Sequence, residues 1–228
     1  MESETSSTDF YAKGKSYWEN VPATIDGMLG GHSNVFKADI QASSRFINNF
    51  LQNFSQDKTR PLGTDYALDC GSGIGRITKH FLLKFFKSVD MVEQNKNFLD
   101  ASNAYLDEDA SRVLRKFNSG LTGLQDFVPD ENCYDVIWIQ WVIGYLADDD
   151  FISFLKRCKK GLKENGIVVI KDNISSCDTD VDHEDGSVTR PRQDILDVVS
   201  EAGLELLAER KQYKFPKGLY EVRMFALR

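Results

Sequence analysis

A glycine-rich turn in the first third of the chain has the residue types of a ligand-binding loop. The stretch Asp69–Arg76 reads DCGSGIGR and follows Tyr66–Cys70, a short apolar run that predicts a β-strand. Several glycines placed directly after a strand allow a nucleotide-like ligand to approach the backbone closely. The sequence therefore predicts that such a ligand binds at this turn.

The spacing of the glycines separates two kinds of ligand. Dinucleotide-binding proteins need a glycine at the last position of G-x-G-x-x-G, and counting from Gly71 that position is Arg76. The pattern D-x-G-x-G-x-G instead resembles the loop with which class I methyltransferases bind S-adenosylmethionine. The methionine part of this cofactor carries a carboxylate, for which Arg76 is a suitable bidentate partner. The alternative for Arg76 is a solvated charge on the next helix.

Further candidates follow the neighbouring strands. Glu93 ends the second predicted strand, where a carboxylate accepts the two ribose hydroxyls of an adenosine. A glutamate at a strand end is common by chance, so the prediction for Glu93 depends on the glycine loop beside it. Gln140 follows the fourth strand and belongs to the same rim, because ligands of open α/β sheets bind at the carboxyl ends of the strands. Leu124 and Gln125 either border the adenine or simply pack in a loop.

Strands and helices alternate along the part of the chain that carries these residues. Strands are predicted near 66–70, 89–93, 113–117, 134–139 and 167–170, with helices at 75–86, 97–108, 148–162 and 192–202. This order predicts an α/β fold with a mostly parallel sheet covered by helices on both faces. The last two strands, near 204–210 and 220–227, have no helix between them and therefore predict an antiparallel pair at the sheet edge.

The first 60 residues have a different organisation. A helix with an aromatic face is predicted over Phe10–Asn20, followed by a loop at Gly27–Gly31. A second helix, capped by Asp39 or Ser43, is predicted to run to about Phe54. We expect residues 1–60 to form an extension with a disordered start, followed by helices that cover the substrate site, and residues 61–228 to form the main domain.

Composition excludes several classes of protein. The 228 residues are 41% hydrophobic and 28% charged, as in ordinary globular proteins, and the net charge of -7 argues against binding to nucleic acid or to an anionic membrane. No apolar run approaches the ~20 residues of a membrane span. The four cysteines and three histidines are scattered without ligand spacing, so that neither disulfides nor a metal site is predicted.

Several longer motifs make the resemblance more specific. They are Asp26–Gly31 (DGMLGG), Leu68–Lys79 (LDCGSGIGRITK), Gly123–Phe127 (GLQDF), Tyr134–Gly144 (YDVIWIQWVIG) and Ile170–Asn173 (IKDN). With them the chain resembles, over nearly its whole length, the protein α-N-terminal methyltransferases that act on Xaa-Pro-Lys termini. The resemblance implies a Rossmann-like class I methyltransferase fold with a seven-stranded sheet, and a cofactor converted to S-adenosylhomocysteine. The substrate would be the free α-amine of proteins that begin with a small residue, proline and a lysine or arginine.

The resemblance also implies roles for individual residues. Cofactor contacts carry over to Gly71, Arg76, Glu93, Gln94, Asn95, Leu124, Gln125 and Gln140. Substrate contacts carry over to Tyr17, Trp18, Leu29, Gly30, Trp141, Asp182 and Tyr220. Within this set Trp141 would form a flat wall for the substrate proline, and Asn173 would anchor the peptide terminus as part of the catalytic group.

An acidic run supplies the remaining candidates. Residues 178–185 read DTDVDHED, which alone is more often a solvated loop. In the context of the resemblance, Asp182 matches the carboxylate that binds the basic third residue, and Asp185 matches the catalytic aspartate. Relatives carry histidine where this chain has Tyr145, and a phenol with a pKa of about 10 is a poor base near neutral pH. We therefore assign the general-base role to Asp185.

Two other functions remain open from the sequence. One is a class I methyltransferase for small molecules, which would need an enclosed and mostly apolar pocket. The other is an adaptor that binds the cofactor but has lost catalysis, which the replacement at Tyr145 keeps open. We expect the partners to be basic N-terminal tails of proteins, the chain to be a monomer, and its location to be cytoplasm and, by resemblance, nucleus.

Overall fold

A seven-stranded sheet forms the centre of the computed structural model, which describes residues 7–52, 61–119 and 123–228. Its strands are β1 (Tyr66–Cys70), β2 (Ser88–Glu93), β3 (Val113–Asn118), β4 (Tyr134–Gln140), β5 (Leu162–Ile174), β8 (Leu206–Lys211) and β9 (Glu221–Leu227). In space they follow the order β3-β2-β1-β4-β5-β9-β8. The first five are parallel, and β9 runs antiparallel to both β5 and β8. The predicted sheet, including its antiparallel C-terminal pair, is confirmed.

Helices cover the sheet and precede it. They are α1 (Ser7–Glu19), α2 (Ile25–Met28), α3 (Phe36–Leu51), α4 (Leu83–Phe85), α5 (Lys96–Leu106), α6 (Asp148–Gly161) and α7 (Arg192–Glu201). A π-helical turn, Thr78–Leu82, leads into α4. Short 3-10 turns lie at Ser33–Val35, Asp107–Arg112, Gly123–Gln125 and Ile143–Tyr145. In α6 the buried residues recur every three or four positions, as a helix with one face on a sheet requires.

The central strand β4 divides the core into two layers. Its side chains alternate between the two faces of the sheet, and every one of them is buried. On one face Ile137 and Ile139 pack with Phe151 and its neighbours from α6. On the other face Trp138 packs with a layer that includes Phe46 of α3. A parallel sheet covered on both faces leaves the carboxyl ends of its strands as the open edge where a ligand binds.

The helix α3 belongs to the core rather than standing apart from it. Phe46 and Ile47 are buried against the sheet. The predicted cap was wrong, because α3 begins at Phe36, and Asp39 and Ser43 are fully buried inside it. Their side chains bind groups of the protein interior instead of the helix's own amides. The division at residue 60 stays a prediction, and the predicted disordered start and the predicted helix end near Phe54 fall on residues 1–6 and 53–60, which lie outside the described part of the chain.

The acidic run folds into a small hairpin that the sequence did not predict. Its strands are β6 (Asp180–Val181) and β7 (Val188–Thr189), joined by a turn in which the Gly186 amide donates to the Asp182 carbonyl oxygen at 2.9 Å. Strands of two residues are too short to show the alternation of apolar and polar residues by which strands are predicted. Within the described ranges, no helix has the length and apolarity to cross a bilayer, and no group of three or more His, Cys, Asp or Glu could hold a metal ion.

Candidate cofactor and substrate site

The glycine loop after β1 has a backbone that other residues adopt with difficulty. Gly71, Gly73 and Gly75 have φ values of 69°, 54° and 86°, in the left-handed region that favours glycine. A Cβ atom on Gly71 would lie 2.2 Å from Cγ1 of Val142, and one on Gly73 would lie 2.5 Å from Sδ of Met28. The loop is therefore held open as a bare backbone wall.

A cavity of about 350 Å³ lies against this loop at the carboxyl ends of the parallel strands. It brings together most of the residues predicted for the cofactor: Gly71, Arg76, Glu93, Gln94, Leu124, Gln125 and Gln140. The same cavity is lined by the predicted substrate and catalytic residues Trp18, Leu29, Gly30, Trp141, Tyr145, Asn173, Asp185 and Tyr220. One continuous space thus connects the two predicted half-sites.

Three predicted residues lie outside the cavity wall. Asn95 caps α5 by accepting the Asn97 amide at 2.9 Å, and its Nδ2 donates to the Trp18 carbonyl oxygen at 2.9 Å. Tyr17 packs its ring edge-on against Trp18. Asp182 is exposed in the hairpin turn, where its Oδ1 accepts the Glu184 amide at 2.7 Å. Their predicted contacts with cofactor and peptide stay predictions.

Glu93 fastens the glycine loop to the end of β2. Its Oε2 accepts the Gly73 amide at 2.9 Å and its Oε1 accepts the Asn95 amide at 2.8 Å. Burial raises the pKa of Glu93 above its usual value, against the lowering effect of these amides. Each carboxylate oxygen has a further lone pair, so the residue can hold the loop and still accept a hydroxyl from the cavity.

Arg76 is buried and already paired. Its Nη1 donates to Oδ2 of Asp39 at 2.6 Å. Its guanidinium carbon also lies 5.4 Å from the centroid of the Trp141 ring and 5.8 Å from that of Phe36. The solvated-charge alternative for Arg76 is therefore excluded, since only 4% of the residue is exposed.

Two buried aspartates brace the strand ends on either side of the cavity. Asp69 accepts the Thr78 hydroxyl at 2.6 Å, and burial raises its pKa to about 6. Asp172 accepts the amides of Val142 and Ile143 at 3.1 and 3.3 Å, and burial raises its pKa to about 6 as well. The two bonds of Asp172 fix the loop that carries Trp141 and Tyr145.

Trp141 has an uncommon backbone for a large residue. Its φ is 56°, and its amide donates to the Lys171 carbonyl oxygen at 3.0 Å. A left-handed conformation in a residue other than glycine is strained and tends to occur at functional sites. Here it sets the indole on the cavity wall, with the Phe215 ring centroid 6.5 Å away.

Tyr145 and Asp185 meet in the wall of the same cavity. The Tyr145 hydroxyl donates to Oδ2 of Asp185, and Oδ1 of Asp185 accepts the Ser187 amide at 2.8 Å. Burial, followed by the bond to Asp185, raises the pKa of Tyr145 far above its usual value. The phenol is therefore a fixed hydrogen-bond donor at neutral pH, and the Trp18 ring lies edge-on to it at 6.1 Å.

The helix α1, which we call the lid helix, lines the cavity with residues between Phe10 and Trp18. Gly14 packs so closely on Tyr145 that a Cβ atom there would lie 2.9 Å from Cδ1 of the ring. The Tyr11 hydroxyl donates to Asp150 and accepts the Ala147 amide at 3.1 Å. The lid helix thus contacts both predicted half-sites. Its Gly14 packs on Tyr145, and its Trp18 carbonyl oxygen accepts a hydrogen bond from Asn95.

Fold and site together define a class I S-adenosylmethionine-dependent methyltransferase. The bare glycine loop, the carboxylate of Glu93 and the guanidinium of Arg76 suit a ligand with an adenosine at one end and a carboxylate at the other. Within this class the chain belongs to the family described as AdoMet dependent proline di-methyltransferase, whose sequence model matches residues 6–228.

The relatives agree with this membership. The protein of Homo sapiens named N-terminal Xaa-Pro-Lys N-methyltransferase 1 is 48% identical over 219 residues, which cover 96% of this chain and 95% of that protein. The protein of the same name in Xenopus tropicalis is also 48% identical, with the same coverage. A solved structure of a SAM-dependent methyltransferase from Leishmania major is 36% identical, with a TM-score of 0.85 over 96% of this chain and 83% of that one.

Proposed function

We propose that this chain transfers methyl groups from S-adenosylmethionine to the free α-amine of proteins that begin with Xaa-Pro-Lys or Xaa-Pro-Arg. The names of the relatives support this substrate. The observation that carries it is the single cavity in which Trp141, Asn173 and Asp185 line the same space as the glycine loop. A flat indole suits a proline ring, and a carboxylate and an amide suit a terminal amine.

Charge supports a basic peptide as the substrate. The hairpin of residues 180–189 carries the exposed carboxylates Asp180, Asp182 and Glu184, and its Asp185 lines the cavity. A cationic third residue would gain from these charges as it approaches, and more so at low salt. We also propose that the chain acts on such tails as a monomer, without nucleic acid, in cytoplasm and nucleus.

The chemistry needs a deprotonated amine in a defined direction. When bound, S-adenosylmethionine supplies a sulfonium methyl group that an amine lone pair can attack. An α-ammonium has a pKa near 8, so the free energy of losing its proton near neutral pH is small. A carboxylate can accept that proton, directly or through water. Asp185 faces the cavity and is the candidate for that acceptor.

Tyr145 then acts by positioning. Its hydroxyl is a donor and holds one oxygen of Asp185, while the Ser187 amide holds the other. A carboxylate that is hydrogen-bonded at both oxygens has a fixed orientation in the cavity. An amine that binds to it is then held in one direction, which favours its alignment with the methyl group. Tyr145 thus replaces a titratable histidine with a neutral group that orients the base.

Transfer of labelled methyl groups tests the proposed function. A peptide beginning Ser-Pro-Lys, the same peptide N-acetylated, and a panel of small-molecule acceptors are offered separately. We expect label on the free peptide alone, because the acetylated amine has no basic lone pair. Label only on small molecules would favour an enclosed small-molecule site, and S-adenosylhomocysteine binding without any transfer would favour an adaptor.

A further inference from the structure

A buried cluster of polar side chains lies directly behind the cofactor half of the cavity. Asp39 of α3 accepts Nη1 of Arg76 at 2.6 Å through Oδ2, and through Oδ1 it accepts Nε2 of Gln140 at 2.9 Å. Nζ of Lys171 binds the same Oδ1 at 2.5 Å and the Ser43 hydroxyl at 3.0 Å. Asp39, Ser43 and Lys171 are each fully buried.

Two members of the cluster line the cavity and the others lie behind it. Arg76 and Gln140 line the cavity, whereas Asp39 and Lys171 do not. The amide of Gln140 is held from both ends, since its Oε1 also accepts Nε1 of Trp138 at 2.9 Å. Asp39 is the one group that contacts all three of its neighbours, Arg76, Gln140 and Lys171. Its carboxylate is therefore hydrogen-bonded to both side chains of the cluster that line the cavity.

The charges of the cluster are not balanced. Arg76 and Lys171 supply two positive charges, and Asp39 supplies one negative charge. Asp69 also acts on Arg76 electrostatically, but its hydrogen bond goes to Thr78. The two buried cations share the one carboxylate of Asp39, so an anion that arrives at Arg76 gives them a second negative partner.

We propose that Asp39, supported by Lys171, is a positioning residue that orients Arg76 and Gln140 to bind the carboxylate of the cofactor's methionine end. The inference rests on the placement of that carboxylate at Arg76. It adds that a residue of the N-terminal extension, outside the glycine loop, makes the site selective for a ligand that carries an amino-acid carboxylate. Lys171 lets Asp39 remain ionised in the protein interior.

A simpler role for Asp39 would be to neutralise Lys171 and nothing more. The single variant Asp39→Asn does not separate the two roles, because it leaves Lys171 buried without a counter-ion and destabilises the fold. The double variant Asp39→Asn/Lys171→Met removes a cation and an anion together. If neutralisation were the whole role, the double variant would bind ligands as the parent does.

The experiment compares two ligands in the parent and the double variant by calorimetry. S-adenosylhomocysteine carries the carboxylate, and 5′-methylthioadenosine lacks it. We expect the double variant to bind S-adenosylhomocysteine at least about tenfold more weakly, because a charge-assisted bidentate contact loses its geometry. It should bind 5′-methylthioadenosine within about twofold of the parent. Equal changes for both ligands, or none for either, would falsify the proposal.

Two further variants separate the possible failures. Asp135→Asn/Lys163→Met removes another buried carboxylate paired to a lysine, at 2.9 Å, away from the cavity, and should leave the ratio of the two affinities unchanged. Arg76→Leu should lose S-adenosylhomocysteine selectively. A selective loss in Arg76→Leu without one in the Asp39 double variant refutes only the role of Asp39. No selective loss in Arg76→Leu refutes the carboxylate placement and the inference with it.

Discussion

The phenol of Tyr145 donates a hydrogen bond to the carboxylate of Asp185, which comes from a hairpin 40 residues further along the chain. Both side chains line the cavity, and Tyr145 packs on Gly14 of the lid helix. The bond therefore joins the end of the β4 loop, the acidic hairpin and α1 at the point where the amine is expected. A change at either residue should affect catalysis more than folding.

Removing the hydroxyl of Tyr145 should lower the rate and leave peptide binding nearly intact. In Tyr145→Phe the ring still packs against Trp18, but Asp185 loses the donor that orients it. We expect kcat to fall by about tenfold with a KM within about threefold of the parent. The kcat of Asp185→Asn should fall further, by about 10²-fold or more, because this variant also loses the proton acceptor. Steady-state kinetics across pH 6–9 would check both.

A matched control lies at the other end of the sheet. The Tyr66 hydroxyl donates to Oδ1 of Asp90 at 2.6 Å, away from the cavity. Tyr66→Phe removes the same kind of bond and should lower the melting temperature while kcat stays at the parent value. An Asp185→Asn enzyme with full activity would contradict the base role, whatever Tyr145→Phe shows.

Replacing Trp141 should reduce the preference for proline at the second position of the peptide. Leucine keeps an apolar side chain but lacks the flat surface against which a pyrrolidine ring packs. We expect Trp141→Leu to reduce kcat/KM for a Ser-Pro-Lys peptide by about tenfold, in line with ~1–1.5 kcal/mol for an aromatic contact. The parallel measurement uses Ser-Ala-Lys, which should change little. An equal decrease of kcat/KM for both peptides would show that Trp141 supports the loop and does not select for proline.

The sequence predicted the elements whose signals are local. The glycine loop, the apolar run of β4 and the alternation of strands and helices depend on residues close together in the chain, and all three appear where they were expected. Gly71 and Arg76 fall on the cavity wall for the same reason. A loop between a strand and a helix of a parallel sheet has only one edge at which it can lie.

What the sequence did not predict depends on partners that are distant in the chain. Asp39 has a residue type that is common at helix caps, and only the folded chain brings it to Lys171, which is 132 positions away. Asp172 likewise acts through amides about 30 positions before it. A buried lysine in a strand was the one available signal, because lysine is rarely fully buried without a paired charge.

Asn95 should control how firmly the lid helix is held. Its Nδ2 donates to the Trp18 carbonyl oxygen near the end of α1, while its Oδ1 caps α5. Asn95→Asp keeps a capping oxygen and replaces the donor with an acceptor that repels the carbonyl. We expect the amides of α1 to exchange hydrogen about tenfold faster, with α5 unchanged, because a local opening becomes easier.

Lys15→Ala serves as the comparison for that experiment. It removes the partly exposed ion pair of Lys15 with Glu19, 3.8 Å apart on α1 itself, which contributes little to stability. Its exchange pattern should match that of the parent. If Asn95→Asp also matched the parent, Asn95 would be only the cap of α5.

Asp69 should make the protein less stable as the pH rises from about 4 to about 6. Burial raises its pKa to about 6 in the folded chain, whereas an unfolded aspartate titrates near 3.9. Between these values the folded state binds the extra proton, so stability decreases with rising pH, and the full cost is present above about pH 6. A difference of ~2 pKa units corresponds to ~3 kcal/mol.

Asp69→Asn cannot titrate and should lose that decrease. Its free energy of unfolding, measured in urea, should rise relative to the parent by ~2–3 kcal/mol between pH 4 and 7. Asp65→Asn provides the contrast, because a hydrogen bond from Lys87 lowers the pKa of Asp65 at the exposed surface, and its effect should be small and of opposite sign. Parallel stability curves for Asp69→Asn and the parent would mean that Asp69 titrates as it does in the unfolded chain. The hydrogen bond from Thr78 and the charge of Arg76 would then balance the effect of burial on the pKa of Asp69.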